Sequence, residues 1–155
     1  MPDELVLITP VNDTFRRDVD VADATLLDPN DPACLIQGEW VVPNGSYKYE
    51  RPAASVRGCF QVFSPKGDLA SQALGKIAVI QLHDYEAETI VFDDAFGGAV
   101  GDPLTVDIVP VDGTNRAGLR VAAAPGEFIY GVVTKLPADN GGKLRYNKTS
   151  GIAAL

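Results

Sequence analysis

Turn-forming residues interrupt this sequence about every ten residues, and they separate short runs that are rich in β-branched and aromatic side chains. The chain has 15 glycines and 11 prolines among 155 residues, which leaves little room for long helices. Between the turns, about eight to ten runs have the length and apolar alternation of strands. The sequence therefore predicts an all-β fold, a small β-barrel or β-sandwich (β-tulip-like) of short antiparallel strands.

The most apolar of these runs lies within residues 75–92, GKIAVIQLHDYEAETIVF. Residues 77–82 are almost continuously apolar, which is typical of a strand that is covered on both faces. Residues 89–92 form a second run of β-branched and aromatic residues. Residues 83–86 between the two runs are polar and predict a turn, so we expect the runs to pair as a hairpin.

Residues 1–33 differ in composition from the body of the chain, residues 34–155. The N-terminal segment is rich in aspartate and ends in DPNDP, whose prolines favour extended backbone and turns. It predicts an extended N-terminal arm with one short strand at residues 5–9. Its spaced apolar residues need cover, which either the same domain or a neighbouring subunit can supply. In the body, one short helix is predicted at residues 69–74, with Asp68 as its N-cap.

Two glycines lie inside predicted strands of the body. Gly38 interrupts the run 34–42, and Gly131 interrupts the run 128–134. A glycine within a strand indicates a bulge, a turn or the close approach of another backbone. Trp40, which follows Gly38, is predicted to lie in the core.

Two dipeptides predict tight turns between strands. The Asn-Gly pair at residues 44–45 is typical of a type I′ hairpin, and the Asp-Gly pair at 112–113 also turns the chain. In the strand that follows the first pair, Tyr47 and Tyr49 alternate with charged residues. We therefore expect both tyrosines on one face of that strand.

The chain is acidic, with a formal net charge of −8. A surface that binds nucleic-acid phosphates needs clustered basic residues, and the largest cluster in the sequence is Arg16 with Arg17. Direct binding to nucleic acid is therefore not expected. The N-terminus is not typical of a secretory signal, and no apolar run approaches the ~20 residues that span a membrane, so no membrane partner is expected.

The two cysteines, Cys34 and Cys59, are expected to be reduced and buried because the sequence shows no export signal. Spacing alone leaves open a catalytic Cys–His pair with His83, the only histidine. Apolar strand residues flank both cysteines, which favours a packing role.

The densest set of ionisable residues is His83, Asp84, Glu86 and Glu88. One histidine and two carboxylates can bind a metal ion or carry out acid–base chemistry. In a strand, however, Glu86 and Glu88 share a face while His83 and Asp84 fall in the turn. A solvated, charged hairpin tip accounts for all four, so neither a metal nor another cofactor is expected.

Five stretches are of interest when they are taken together and in order. They are LLDPNDPACLIQGEWVV, SYKY, YEAETIVFDD, VGDPLTV and FIYGVVTKLPADNGGKLRY. This order resembles the head decoration (cement) proteins of tailed bacteriophages, which are small β-rich proteins on the outside of the capsid. The resemblance covers about residues 26–148.

The resemblance implies a structural virion protein without catalysis or cofactor. Such proteins bind the major capsid protein of an assembled shell, usually as homotrimers, and cement neighbouring shell subunits. On this interpretation the N-terminal arm reaches a neighbour and packs Leu5, Leu7 and Phe15 against it. Arg16 and Arg17 are expected to pair with acidic residues of the shell.

Three alternatives remain open at this point. A carbohydrate-binding or adhesion module would use Trp40, Tyr47 and Tyr49 as an aromatic platform. A small hydrolase would be centred on His83. Another virion part, such as a tail-tube or head-completion protein, would assemble into rings or tubes.

Overall fold

The computed structural model describes residues 4–8, 16–64 and 75–153. Within them the fold is all-β, as predicted, with two antiparallel sheets and helical structure only in two 3-10 turns, Ala24–Leu27 and Pro137–Asp139. The strands are β1 Leu5–Leu7, β2 Arg16–Asp20, β3 Trp40–Pro43, β4 Tyr49–Glu50, β5 Phe60–Ser64, β6 Lys76–Ile80, β7 Tyr85–Thr89, β8 Pro103–Val111, β9 Thr114–Val121, β10 Phe128–Lys135 and β11 Leu144–Ala153.

The larger sheet has six strands in the order β1-β7-β11-β10-β8-β9, and the smaller has five in the order β2-β6-β5-β3-β4. A single parallel bridge joins Val21, just after β2, to Tyr49 in β4. The smaller sheet therefore curls until its two edges meet, although it does not close into a continuous barrel.

Two main hydrophobic cores hold the sheets. One lies between them and includes Trp40 and Ile80 from the smaller sheet and Tyr146 from the larger. The other lies within the curl of the smaller sheet and includes Ile77 and Val79. Strand β6 contributes to both, because successive side chains of a strand point to opposite faces. This confirms the prediction that this run is covered on both faces.

The predicted hairpin between residues 77–82 and 89–92 is wrong. Strand β6 pairs with β2 and β5 in the smaller sheet, whereas the next strand, β7, pairs with β1 and β11 in the larger. Residues 81–84 carry the chain from one sheet to the other. The second strand is also misplaced, since β7 covers Tyr85–Thr89 and not 89–92, and the alternation of buried Tyr85, Ala87 and Thr89 sets its core face.

The turn predicted at residues 44–45 does join two paired strands, β3 and β4, but its type is wrong. The loop spans 44–48, and the Asn44 side chain accepts hydrogen bonds from the backbone N–H of Ser46 and Lys48, at 2.9 and 3.1 Å. Tyr47 has a φ of 61° and is 87% exposed. It lies in the loop, so the two tyrosines do not share a strand face.

The Asp-Gly turn at residues 112–113 is confirmed. Asp112 and Gly113 have φ values of 52° and 80°, and they join β8 directly to β9. The Asp94 carboxylate accepts hydrogen bonds from both of their backbone N–H groups, at 2.7 and 3.0 Å. A carboxylate from a preceding loop therefore fixes this hairpin.

The close approach predicted at Gly38 is also confirmed. A Cβ atom at this position would lie 2.9 Å from the Thr89 hydroxyl oxygen and 3.3 Å from the Glu4 carbonyl oxygen. Only glycine therefore lets this segment of the smaller sheet approach strand β7 of the larger one.

Gly131 lies at a register shift between β10 and β11, as predicted. A Cβ atom there would lie 2.7 Å from the backbone oxygen of Asn147. We expect Gly131→Ala to lower the free energy of unfolding by about 1–3 kcal/mol, because a strand backbone must shift to admit the methyl group. Chemical denaturation measures this effect. Gly45→Ala is the control, because no heavy atom lies within 4 Å of its added Cβ; equal losses for both variants would contradict the steric explanation.

Glu39 is a buried carboxylate with 0% exposure. Its Oε1 lies 2.8 Å from Arg51 Nε and its Oε2 lies 3.0 Å from Arg116 Nη1. The backbone N–H of Ile36 donates a further hydrogen bond to Oε2, at 2.8 Å. The carboxylate thus joins the end of β4, strand β9 and the loop before β3, and it is satisfied from three directions.

A second buried polar group, Gln61, lies in β5. Its side-chain oxygen accepts hydrogen bonds from the hydroxyls of Tyr85 and Tyr146, and its amide nitrogen donates to the Gly38 carbonyl at 3.0 Å. Burial raises the pKa of both tyrosines, which keeps their hydroxyls protonated as donors. The network ties the smaller sheet to the larger one.

Two described parts of the N-terminal segment are strands of these sheets, and the 3-10 turn Ala24–Leu27 follows the second of them. Strand β1 lies at the edge of the larger sheet, inside the range 5–9 that was predicted to hold a strand, and β2 pairs with β6 in the smaller sheet. The helix predicted at 69–74 lies outside the described residues. No described helix has the length and apolar character that a membrane crossing requires.

Candidate functional site

The structure separates the residues predicted to contact a partner. Leu5 is 3% exposed within the core between the sheets, and Leu7 is half-buried against the same core. Both side chains are therefore packed within the chain itself. Phe15 lies outside the described residues. Arg16 and Arg17 lie on β2, in the other sheet.

Arg17 makes its contacts within the smaller sheet. Its guanidinium donates a hydrogen bond to the Tyr49 hydroxyl at 2.6 Å and lies over the Phe60 ring, 5.5 Å from the ring centroid. The side chain bridges β2, β4 and β5, and it is already engaged inside the domain. Arg16 pairs through its backbone with Ile80, at the end of β6 that leads into residues 81–84.

The aromatic platform considered for sugar binding is not assembled. Trp40 is 0% exposed and Tyr49 is 7% exposed, whereas Tyr47 is 87% exposed in its loop. The Trp40 ring packs against Tyr130, with 5.4 Å between centroids. The prediction that Trp40 lies in the core is confirmed.

The ionisable set around His83 is divided between the strand and the link that precedes it. Glu86 and Glu88 share a face of β7, and Arg145 lies 3.8 Å from Glu86 and 3.3 Å from Glu88. A hydrogen bond from Asn140 at 2.8 Å lowers the pKa of Glu88 and keeps it ionised. No group of three or more His, Cys, Asp or Glu within residues 4–8, 16–64 and 75–153 is arranged to hold a metal ion.

A cleft of about 400 Å³ opens beside His83, and no sequence pattern predicted it. Arg57 and Lys148 supply its positive charge, the His83 imidazole lines it beside them, and Phe60, Leu82 and Phe128 supply apolar wall. We call it the cationic cleft. Its walls come from the loop before β5, the link between the two sheets, the start of β10 and the middle of β11. No described residue that lines it is a carboxylate.

Tyr130 in β10 fixes one wall of the cationic cleft. Its hydroxyl accepts a hydrogen bond from the backbone N–H of Cys59 at 3.1 Å and donates one to the Val56 carbonyl. These bonds hold the loop before β5 against β10. The Arg57 guanidinium then lies over the Phe128 ring, 4.8 Å from its centroid, which is within the range of a cation–π interaction.

Lys148 in β11 forms the opposite wall. Its ammonium donates a hydrogen bond to the His83 carbonyl at 2.8 Å and lies 5.8 Å from the centroid of the Tyr85 ring. Burial lowers the pKa of Lys148, and the nearby charge of Asp84 acts in the opposite direction. The ammonium is thus partly removed from water and held in one position.

Cys59 and His83 both line the cationic cleft. The pKa of the Cys59 thiol therefore decides between a catalytic Cys–His pair and a packing role. Cys59 is 5% exposed and its thiol points to the Val56 carbonyl, at 3.7 Å. Burial raises the pKa of this thiol to about 11. A nucleophilic cysteine needs the opposite shift, so the environment of Cys59 favours a packing role. Both cysteines are free thiols, as expected, although Cys34 is only half-buried.

We expect Cys59 to resist alkylation in the native protein. With a pKa of about 11, only about one thiol in a thousand is ionised at pH 8. The measurement is the rate of iodoacetamide labelling in a Cys34→Ser variant, native against urea-unfolded, followed by mass. Fast native labelling that His83→Ala abolishes would instead indicate an activated thiol.

The cleft has no signature in the sequence, since Arg57, His83 and Lys148 are far apart along the chain and follow no periodic pattern. The nearest sequence signal was the isolated histidine itself. A scan against protein-family models and searches of curated proteins and solved structures found no match to this chain.

Proposed function

We propose that this chain is a structural virion protein that binds the outer surface of an assembled phage capsid and cements neighbouring capsid subunits. Its partners are then the major capsid protein and further copies of itself, as a homotrimer, and no catalytic step is involved. The proposal starts from the ordered sequence stretches that resemble head decoration proteins.

The observation that carries the proposal is where those stretches lie in the fold. The GEW stretch contains Glu39, the buried carboxylate that pairs with Arg51 and Arg116, and Trp40 of the main core. The FIYGVV stretch contains Gly131, at the register shift between β10 and β11. These stretches hold residues that determine the fold. A resemblance in these stretches therefore supports a fold that this chain shares with head decoration proteins.

The aspartates of the other stretches have the same kind of role. In DPNDP, Asp28 accepts a hydrogen bond from the backbone N–H of Asn30 and Asp31 accepts one from Ala33, at 2.9 and 2.8 Å. In GDPL, Asp102 accepts one from the backbone N–H of Ala99 at 2.8 Å. Carboxylates that satisfy loop backbones stabilise turns, so the fold itself accounts for these three aspartates.

The mechanism of such a protein is thermodynamic linkage. A protein that binds only the assembled shell stabilises that shell, by an amount that grows with its free concentration relative to the dissociation constant. Many copies on one shell multiply a modest energy at each site. A rigid domain built from two tied sheets suits this role, because little of the binding energy is then used to order the protein.

Co-sedimentation with expanded, undecorated phage capsids tests the proposal. We expect binding to saturate at a fixed number of copies for each shell and to raise the melting temperature of the shell. Trimers would appear as a stoichiometry in multiples of three. Failure to bind any expanded shell would refute the proposal, and a shell of unchanged melting temperature at saturation would refute the cementing role.

A further inference from the structure

The cationic cleft concentrates positive charge on an acidic protein. The chain has a net charge of −8, yet Arg57 and Lys148 meet in one concavity that no described carboxylate lines. Asp84, which follows His83, is the acidic group that acts on Lys148. The net charge of the chain therefore disfavours an anionic partner, whereas the cleft is a place where such a partner gains energy.

The charges of the cleft are held in place before any partner arrives. The Phe128 ring supports the Arg57 guanidinium at 4.8 Å, and the His83 carbonyl holds the Lys148 ammonium at 2.8 Å. Since Lys148 is partly desolvated, an incoming anion loses less of its interaction to competing water. Preorganised donors of this kind cost little entropy on binding.

The size and wall of the cleft limit what can occupy it. A volume of about 400 Å³ accommodates a few side chains and not a folded domain. Phe60, Leu82 and Phe128 line it with apolar surface next to the charges. The occupant that fits both properties is a short peptide segment with a carboxylate beside an apolar side chain.

We propose that the cationic cleft receives an acidic segment of the capsid shell, with at least one aspartate or glutamate that pairs with Arg57 and Lys148. This inference rests on the proposed function and names the surface that performs it. The docking then orients the protein, since the segment pairs with one face of the chain.

The test compares two charge reversals in the capsid co-sedimentation assay, at low and high NaCl. Arg57 is exposed in the cleft, so Arg57→Glu leaves the core intact. Lys135→Glu is the matched control, because Lys135 is exposed at the opposite end of β10 from Phe128. Both variants change the net charge equally. Trp40 fluorescence during urea unfolding verifies that each variant folds, and Arg57→Gln provides a second variant that adds no negative charge.

We expect Arg57→Glu to weaken shell binding by roughly tenfold or more at low NaCl and to reduce its dependence on salt. Lys135→Glu should bind as the wild type does, and Lys148→Gln should weaken binding by a smaller factor. Equal weakening by Arg57→Glu and Lys135→Glu would assign the effect to overall charge and would overturn the proposal that the cleft is the docking site. If the Arg57 variants bind as well as the wild type to shells that the wild type binds, the docking role of the cleft is overturned and the capsid-binding function is not. If the wild-type protein does not bind shells, both proposals are overturned.

Discussion

Replacing Glu39 with glutamine is expected to lower the free energy of unfolding by about 3 kcal/mol. The carboxylate is fully buried, and the substitution leaves Arg51 and Arg116 without their shared anion. Their side chains retain 18% and 16% exposure, so water offsets part of the loss. This places the effect at the low end of the range for broken buried ion pairs.

The effect of Glu39→Gln is also expected to extend to the loop before β3. Arg51 donates hydrogen bonds to the carbonyls of Ala33 and Cys34, at 2.6 and 3.2 Å, and Arg116 donates one to Cys34 at 3.0 Å. Without the Glu39 carboxylate, the two guanidiniums lose the group that positions them against these carbonyls. Hydrogen exchange should therefore increase first at residues 33–39.

Urea denaturation followed by Trp40 fluorescence measures the change. Glu50→Gln is the control, because Glu50 is exposed at the end of β4 and the same chemical change there should alter stability by less than about 0.5 kcal/mol. A loss below about 1 kcal/mol for Glu39→Gln would show that the buried ion pairs contribute little beyond their desolvation cost.

Local features of this fold could be predicted from the sequence because neighbouring residues determine them. The Asp-Gly pair at 112–113 adopts the positive φ values that a tight hairpin needs, and the β8–β9 pairing follows from it. The all-β class followed from the spacing of turns. The positions of Gly38 and Gly131 within predicted strands indicated close backbone approaches from the sequence alone, and the structure has them.

Strand partners could not be predicted in the same way. Strands β6 and β7 are separated by a link of only four residues, 81–84, which looks like a hairpin turn, yet they belong to different sheets. The partner that β6 does take on one side, β2, lies more than fifty residues earlier. Apolar periodicity shows which face of a strand is buried and does not show which strand lies beside it.

The candidate site was missed for a related reason. Apolar and basic residues of the N-terminal segment were predicted to contact a partner, but Leu5 lies in the core and Arg17 lies against Tyr49 and Phe60. The cationic cleft instead combines Arg57 and Lys148, which only the sheet topology brings together. Such a site can be identified only from the three-dimensional arrangement of the strands.

Trp40→Ala is expected to lower the free energy of unfolding by about 3–5 kcal/mol. The indole is fully buried between the sheets and packs against Tyr130 at 5.4 Å. Its removal leaves a cavity beside the tyrosine that holds the loop of Cys59 and Val56, so the wall of the cationic cleft should loosen as well. Because Trp40 is the only tryptophan, far-UV circular dichroism must replace fluorescence as the probe of unfolding.

Tyr47→Ala provides the matched aromatic deletion, since Tyr47 is 87% exposed in its loop. Its stability should stay within about 0.5 kcal/mol of the wild type, because the ring buries little surface. The pair of variants separates two roles of an aromatic residue in a binding protein. A Trp40→Ala protein of wild-type stability that had lost only shell binding would place the indole at an interface, whereas a destabilised protein whose remaining folded fraction still binds shells would leave it in the core.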